Sequence, residues 1–184
     1  MRNTLRRITF GLLGAGMIAA MTVGTVVPAA DAAALSPAVA SVRPAALTWP
    51  IVRQGAVGER VITIQYLLNQ RINARLVVDG KFGPATDAAV RAFQRRNRLV
   101  ADGIVGNATW SKLVVTVRKG SKGGAVRAVQ HQLRYAYGHK SVSVDGDFGA
   151  KTVNAVKVFQ KNHKIVADGI VGVVTWNAMV RGDR

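Results

Sequence analysis

The sequence contains no cysteine and a single glutamate, Glu59. Without cysteine there is no disulfide framework and no thiol nucleophile, so packing has to hold the fold together. With one glutamate, the two carboxylates that a glycosidase sets across a cleft would have to be aspartates. Asp79 with Asp102 is the only pair that recurs in the chain, and both stand in turns. The histidines His131, His139 and His163 lie in the second half without a His-Glu-x-x-His spacing, which predicts no zinc site. A Gly-x-Ser-x-Gly nucleophile turn is also missing. The inventory therefore predicts no catalytic residue, no bound metal and no cofactor.

Acidic residues are scarce as well: nine against 26 Lys and Arg, a formal charge of +17. Such a charge leaves the fold open but implies affinity for polyanions and sensitivity to salt. Nucleic acid is the obvious polyanion. However, aromatics make up 6% of the chain and read as core, and no nucleic-acid-binding motif is present. The stacking platform that single strands require is missing, so no nucleic acid is expected as a partner.

Residues 1–32 read as a secretory signal. Arg2, Arg6 and Arg7 precede an uncharged apolar run over residues 8–27, and Ala30, Asp31 and Ala32 form a small-x-small cleavage pattern. Cleavage after Ala32 is the first choice and after Ala34 the second. The run is long enough to span a bilayer, but its glycines and the cleavage pattern favour a removed signal over an anchor. Removal takes away three basic residues and one acid, leaving a formal charge of +15. Residues 33–50, rich in Ala, Pro, Val and Ser, read as a linker closed by Trp49 and Pro50.

Beyond residue 50 the chain repeats itself. Asp79, Gly80, Phe82 and Gly83 recur as Asp145, Gly146, Phe148 and Gly149; residues 101–106 recur unchanged at 167–172; Thr109 and Trp110 recur as Thr175 and Trp176. Residues 79–114 and 145–180 share 19 of 36 positions at an offset of 66, whereas upstream the offset is 65, pairing Gln65 with Gln130. One residue is thus inserted in the second copy between its first helix and its Asp-Gly turn, where a loop tolerates it. Each copy reads as three helices. Val61, Ile64, Leu68 and Ile72, matched by Val126, Val129, Leu133 and Tyr137, form an apolar face at steps of three and four. A second helix opens at Pro84, where its missing N–H costs nothing, and buries Thr86, Ala89, Val90 and Phe93. A short third helix over 107–113 carries Trp110. The expected architecture is all-α: two tandem compact three-helix bundles, 51–114 and 116–181. A unit this small is marginal alone, so the two are expected to share an interface as a fairly rigid pair.

Residues 79–94 and 101–110, together with the stretch 61–68, resemble the peptidoglycan-binding domain found beside many wall hydrolases. The second copy matches at 145–160 and 167–176, departing where Ala150 and Lys151 replace Pro84 and Ala85. The resemblance implies a three-helix bundle whose ligand is the wall glycopeptide. On that footing the chain is expected to be a secreted, non-enzymatic cell-wall protein with peptidoglycan, and anionic wall polymers of the teichoic type, as partners. The alternatives are a cationic binder of polyanions by charge alone, and an accessory subunit of a wall hydrolase.

Eight positions are the candidate ligand contacts: Asp79, Lys81, Gln94, Asp102, Asp145, Asp147, Gln160 and Asp168. Four aspartates retained in Asp-Gly turns of so basic a chain require a local reason. Turn and cap chemistry is the first, and hydrogen bonding to ligand amides or hydroxyls the second. Gln94 and Gln160, like Gln65 and Gln130, either satisfy buried backbone groups or point into a groove. The exchange of Lys81 for Asp147 changes local charge by two units, predicting that the first copy prefers anionic groups and the second tolerates neutral ones. The cationic end of the second helix (Arg95, Arg96, Arg98; Lys161, His163, Lys164) suits the macrodipole first and anion docking second.

Overall fold

The computed structural model describes residues 47–182. The signal-like segment and the linker up to residue 46 lie outside the described residues.

Six helices follow one another: α1 Glu59–Ile72, α2 Pro84–Arg96, α3 Asn107–Leu113, α4 Gly124–His131, α5 Ala150–Asn162 and α6 Val173–Arg181. No strand occurs among the described residues. Antiparallel bridges of single residues tie the segment before each first helix to the Asp-Gly turns: Val52 to Val105 and Val57 to Lys81 in the first module, Val117 to Val171 and Lys122 to Asp147 in the second. The all-α tandem architecture is as the periodicity predicts, and α3 has the expected bounds. The predicted apolar faces are inside: Val61, Ile64, Leu68, Val90, Phe93 and Trp110 are buried, as are Val126, Val129, Leu133, Val156, Phe159 and Trp176.

Two features differ from the reading of the sequence. The last turn of the second module's first helix, Gln132–Ala136, is π-helical, with the Tyr137 N–H donating to the Gln132 carbonyl at 3.1 Å. The copies therefore diverge inside the helix, before the loop to which the inserted residue was assigned. Trp49, placed in the linker by composition, is 5% exposed and stacks on Trp110 with centroids 5.6 Å apart. The Trp110 indole N–H donates to the Pro50 carbonyl at 2.8 Å, and Trp176 repeats the bond to Val115 at 2.7 Å. In each module the segment before the first helix is thus fastened to the tryptophan of the last.

The modules pack chiefly through α1 and α4. Gln70 Oε1 accepts the Ala125 N–H at 2.5 Å, so the start of α4 is capped by a side chain of the first module. A Cβ on Gly124 would stand 2.7 Å from the Tyr66 carbonyl oxygen, so only glycine allows this approach. His131 Nδ1 donates to Glu59 Oε2 at 2.8 Å, and Gln132 Nε2 donates to Thr63 Oγ1 at 2.9 Å. The chain's one glutamate is an interface residue. Arg60 donates to the Val180 and Arg181 carbonyls, drawing α6 onto α1.

Candidate functional site

The four Asp-Gly turns are built alike, each held by one buried glutamine. At the first, Gln65 Nε2 donates to Asp79 Oδ1 at 2.8 Å and to the Lys81 carbonyl at 3.1 Å, while Gln65 Oε1 accepts the Gly80 N–H at 3.0 Å. Gln94 holds Asp102, the Ile104 carbonyl and the Gly103 N–H at 2.8, 2.9 and 3.0 Å. Gln130 does the same for Asp145, Asp147 and Gly146, and Gln160 for Asp168, Ile170 and Gly169. Each carboxylate also accepts the backbone N–H two residues on, closing an Asx-type turn. The glycine is needed for its conformation: Gly103 has φ +74, and a Cβ there would meet the Asp87 carboxylate at 2.1 Å. Gln94 and Gln160 are 1% exposed. Of the two roles open to them, their amides serve the turn.

A fifth member of this latch escaped the sequence reading. Thr86, Thr109, Thr152 and Thr175 are buried, and the glutamine amide approaches their hydroxyls at 3.3, 3.1, 3.3 and 3.3 Å. The signal was present as Asp-Gly-x-x-Gly-x-x-Thr at 79, 102, 145 and 168. Each module is therefore two half-units of helix, Asp-Gly turn and threonine.

These bonds set the electrostatics. Asp79 is held below the ordinary aspartate range first by the Gln65 amide and then by the Lys81 N–H. Asp102, Asp145 and Asp168 are lowered first by the backbone N–H of Ile104, Asp147 and Ile170 respectively. In all four carboxylates both hydrogen bonds fall on Oδ1, leaving Oδ2 without a donor among the described residues. The four aspartates are exposed.

Two of the turns open into grooves of similar size. A groove of about 520 Å³ is lined by Asp79, Lys81, Arg75, Val77, Pro84 and Ala85. Another of about 530 Å³ is lined by Asp168, Lys164, Val166, Val173 and Val174. Val77 and Val166 are 78% and 79% exposed, giving each groove an apolar wall beside a carboxylate and a cation. Arg75 and Lys164 have left-handed backbones, φ 55 and 56. For Lys164 the cause is a Schellman ending of α5, in which the Lys164 N–H donates to the Lys161 carbonyl and the Ile165 N–H to that of Gln160.

Lys81 and Asp147 occupy matching exposed positions, but Asp147 is not alone. Lys122 Nζ lies 2.7 Å from Asp147 Oδ1, across the bridge whose counterpart in the first module is Val57 to Lys81. Lys122 offsets the acid, so the two turns differ by one unit of charge, not the two read from the sequence.

The chain matches the sequence pattern of the peptidoglycan binding domain twice, over residues 57–113 and 122–179. It is 31% identical over 161 residues to the N-acetylmuramoyl-L-alanine amidase CwlL of Bacillus licheniformis, a match covering 68% of this chain and 44% of the amidase. It is 30% identical over 183 residues to the zinc D-Ala-D-Ala carboxypeptidase of Streptomyces albus G, covering 82% of this chain and 71% of that protein. A solved peptidoglycan-binding protein from Clostridioides difficile, in complex with glutamine hydroxamate, aligns at 43% identity and a TM-score of 0.35 over 36% of this chain and 41% of that one. The chain thus spans less than half of the amidase. Among the described residues no three His, Cys, Asp or Glu gather as metal ligands, so nothing there fits the zinc of the carboxypeptidase's name. No helix among the described residues is long and apolar enough to cross a membrane.

Proposed function

Because the chain belongs to the peptidoglycan binding domain family and carries the domain twice, we propose that it is an exported, non-catalytic protein that holds wall peptidoglycan through modules 51–114 and 116–181. The doubled domain carries this reading. The grooves at Asp79 and Asp168 support it, since each offers a carboxylate oxygen, a cation and an apolar wall to a short peptide with amide and charged groups. Asp79, Lys81, Asp102, Asp145, Asp147 and Asp168 are the proposed contacts, with Gln94 and Gln160 acting through the turns they hold. The described carboxylates support a non-catalytic role. Four are bound in turns, Asp87 pairs with Arg91, Asp147 with Lys122 and Glu59 with His131. The relatives named as an amidase and a carboxypeptidase support an accessory role, in which the modules hold a wall hydrolase at its substrate.

Sedimentation with purified, teichoic-acid-free sacculi tests the proposal. Retention at about physiological salt is expected; failure to sediment there sinks the central claim. Binding that collapses between low and moderate salt would favour the polyanion reading, in which teichoic-type phosphates are the ligand. Clearing of a sacculus suspension by the pure chain would overturn the non-catalytic assignment.

A further inference from the structure

The second module has a cleft of about 710 Å³ whose lining includes Tyr137, Asn162, His163 and Lys164. Ala136 and Ala178 are small, and at the place of Ala178 the first module has Lys112. There the Arg71 guanidinium lies over the Phe93 ring, 5.9 Å from its centroid, and donates to the Lys112 carbonyl at 3.1 Å, covering the ring. In the second module the matching Phe159 is instead overlaid by other rings. His163 stacks on it at 4.0 Å, and Tyr137 meets Phe159 and His163 edge-on at 4.6 and 5.5 Å.

These rings are held in place. The Tyr137 hydroxyl donates to the Met179 carbonyl at 2.9 Å, just beyond the π-helical turn. His163 Nδ1 donates to the Phe159 carbonyl at 2.8 Å, which fixes the orientation of the ring. The result is a preformed cleft with an aromatic wall, a floor of small residues, an amide, an imidazole and one ammonium, and no carboxylate among the described residues that line it. That combination suits a neutral ligand with an apolar face and many hydroxyl and carbonyl groups. A pyranose ring has such a face in its axial C–H bonds, and an acetamido group supplies a carbonyl for Lys164 or Asn162. Lys164 lines both this cleft and the Asp168 groove, so a sugar carrying a peptide would reach both.

We infer that the cleft between Tyr137, His163 and Lys164 is a subsite for an N-acetylhexosamine glycan, present in the second module alone. The inference rests on the proposed wall binding and names the part of the ligand that this module takes. Calorimetric titration of the full chain with chitotetraose and with maltotetraose, beside sacculus sedimentation, tests it. Chitotetraose should bind and maltotetraose should not. Ala136→Arg with Ala178→Lys, which fills the cleft with long side chains, should weaken chitotetraose at least about tenfold. Tyr137→Ile, which removes the ring, should weaken it too, with the melting temperature as a check on folding. Sacculi should still sediment with the filled variant through the Asp-Gly grooves. The inference is overturned if the filled variant binds chitotetraose as the unaltered chain does, if both sugars bind equally, or if a chain that sediments with sacculi ignores chitotetraose. A chain that binds chitotetraose at the cleft but not sacculi would instead overturn the proposed function.

Discussion

One glutamine amide per turn, itself almost fully buried, satisfies a carboxylate, a carbonyl, a hydroxyl and a backbone N–H. Gln94→Ala would leave the Gly103 N–H and the Thr109 hydroxyl short of partners and open a small void, so it should cost about 2–3 kcal/mol in chemical denaturation. The aspartates impose a pH dependence. Their folded pKa values lie below the ordinary value of 3.8, so the unfolded chain binds protons first. The stability they contribute is complete above that value and is lost as pH falls through the lower, folded values. Asp102→Asn keeps an acceptor at Oδ1 and should flatten the decline of the melting temperature below about pH 4. An unchanged slope would mean that Asp102 has no part in acid unfolding. At this scale the sequence was half legible: four Asp-Gly pairs announced four turns, but the 66-residue repeat drew attention away from the 23-residue spacing that brings in the threonines.

Elements were legible where periodicity governs them. The faces of α1, α2 and α5 follow from steps of three and four. What decides α4 is not local. Its N-cap residue, Gly123, offers no side-chain cap, and the cap comes from Gln70 on another helix. The burial of Trp49 likewise depends on Trp110, far along the chain, which no window of composition contains. Gln70→Ala should cost about 1 kcal/mol and expose the first amides of α4 to hydrogen exchange sooner than those of α5. Gly124→Ala forces a methyl group against the Tyr66 carbonyl and should cost about 1–3 kcal/mol, because backbone cannot yield as a flexible side chain does. Equal exchange across α4 and α5 in both variants would show that the interface does not support the helix.

At the scale of the molecule, the tandem architecture was readable from the duplication, whereas the way the copies meet was not. His131, Glu59, Gly124 and Arg60 carry no interface signature in sequence; Glu59 and His131 invited inspection only as catalytic or metal candidates. The charge difference between the modules is likewise a tertiary fact, since Lys122 reaches Asp147 across a bridge. Lys81→Asp should weaken binding to carboxylate-rich sacculi at low salt by a factor on the order of threefold, and Asp147→Lys, which also leaves Lys122 unpaired, should strengthen it comparably. Both effects should fade at high salt. Unaltered affinity in both variants would show that this turn position does not meet the ligand.

The cap that Gln70 provides also has a direction in time. A chain made from its N-terminus delivers Gln70 55 positions ahead of Ala125. The Gly58 backbone at the start of α1 is satisfied within the first module: its N–H is taken by Gly80 and its carbonyl by Val61 and Ile62. The first module can therefore settle while the second is still being made, and α4 then nucleates against a prepared surface instead of forming in isolation. Refolding from denaturant releases both modules at once and abolishes that order. The protein should acquire its second half more slowly on refolding from denaturant than when the chain is delivered from its N-terminus.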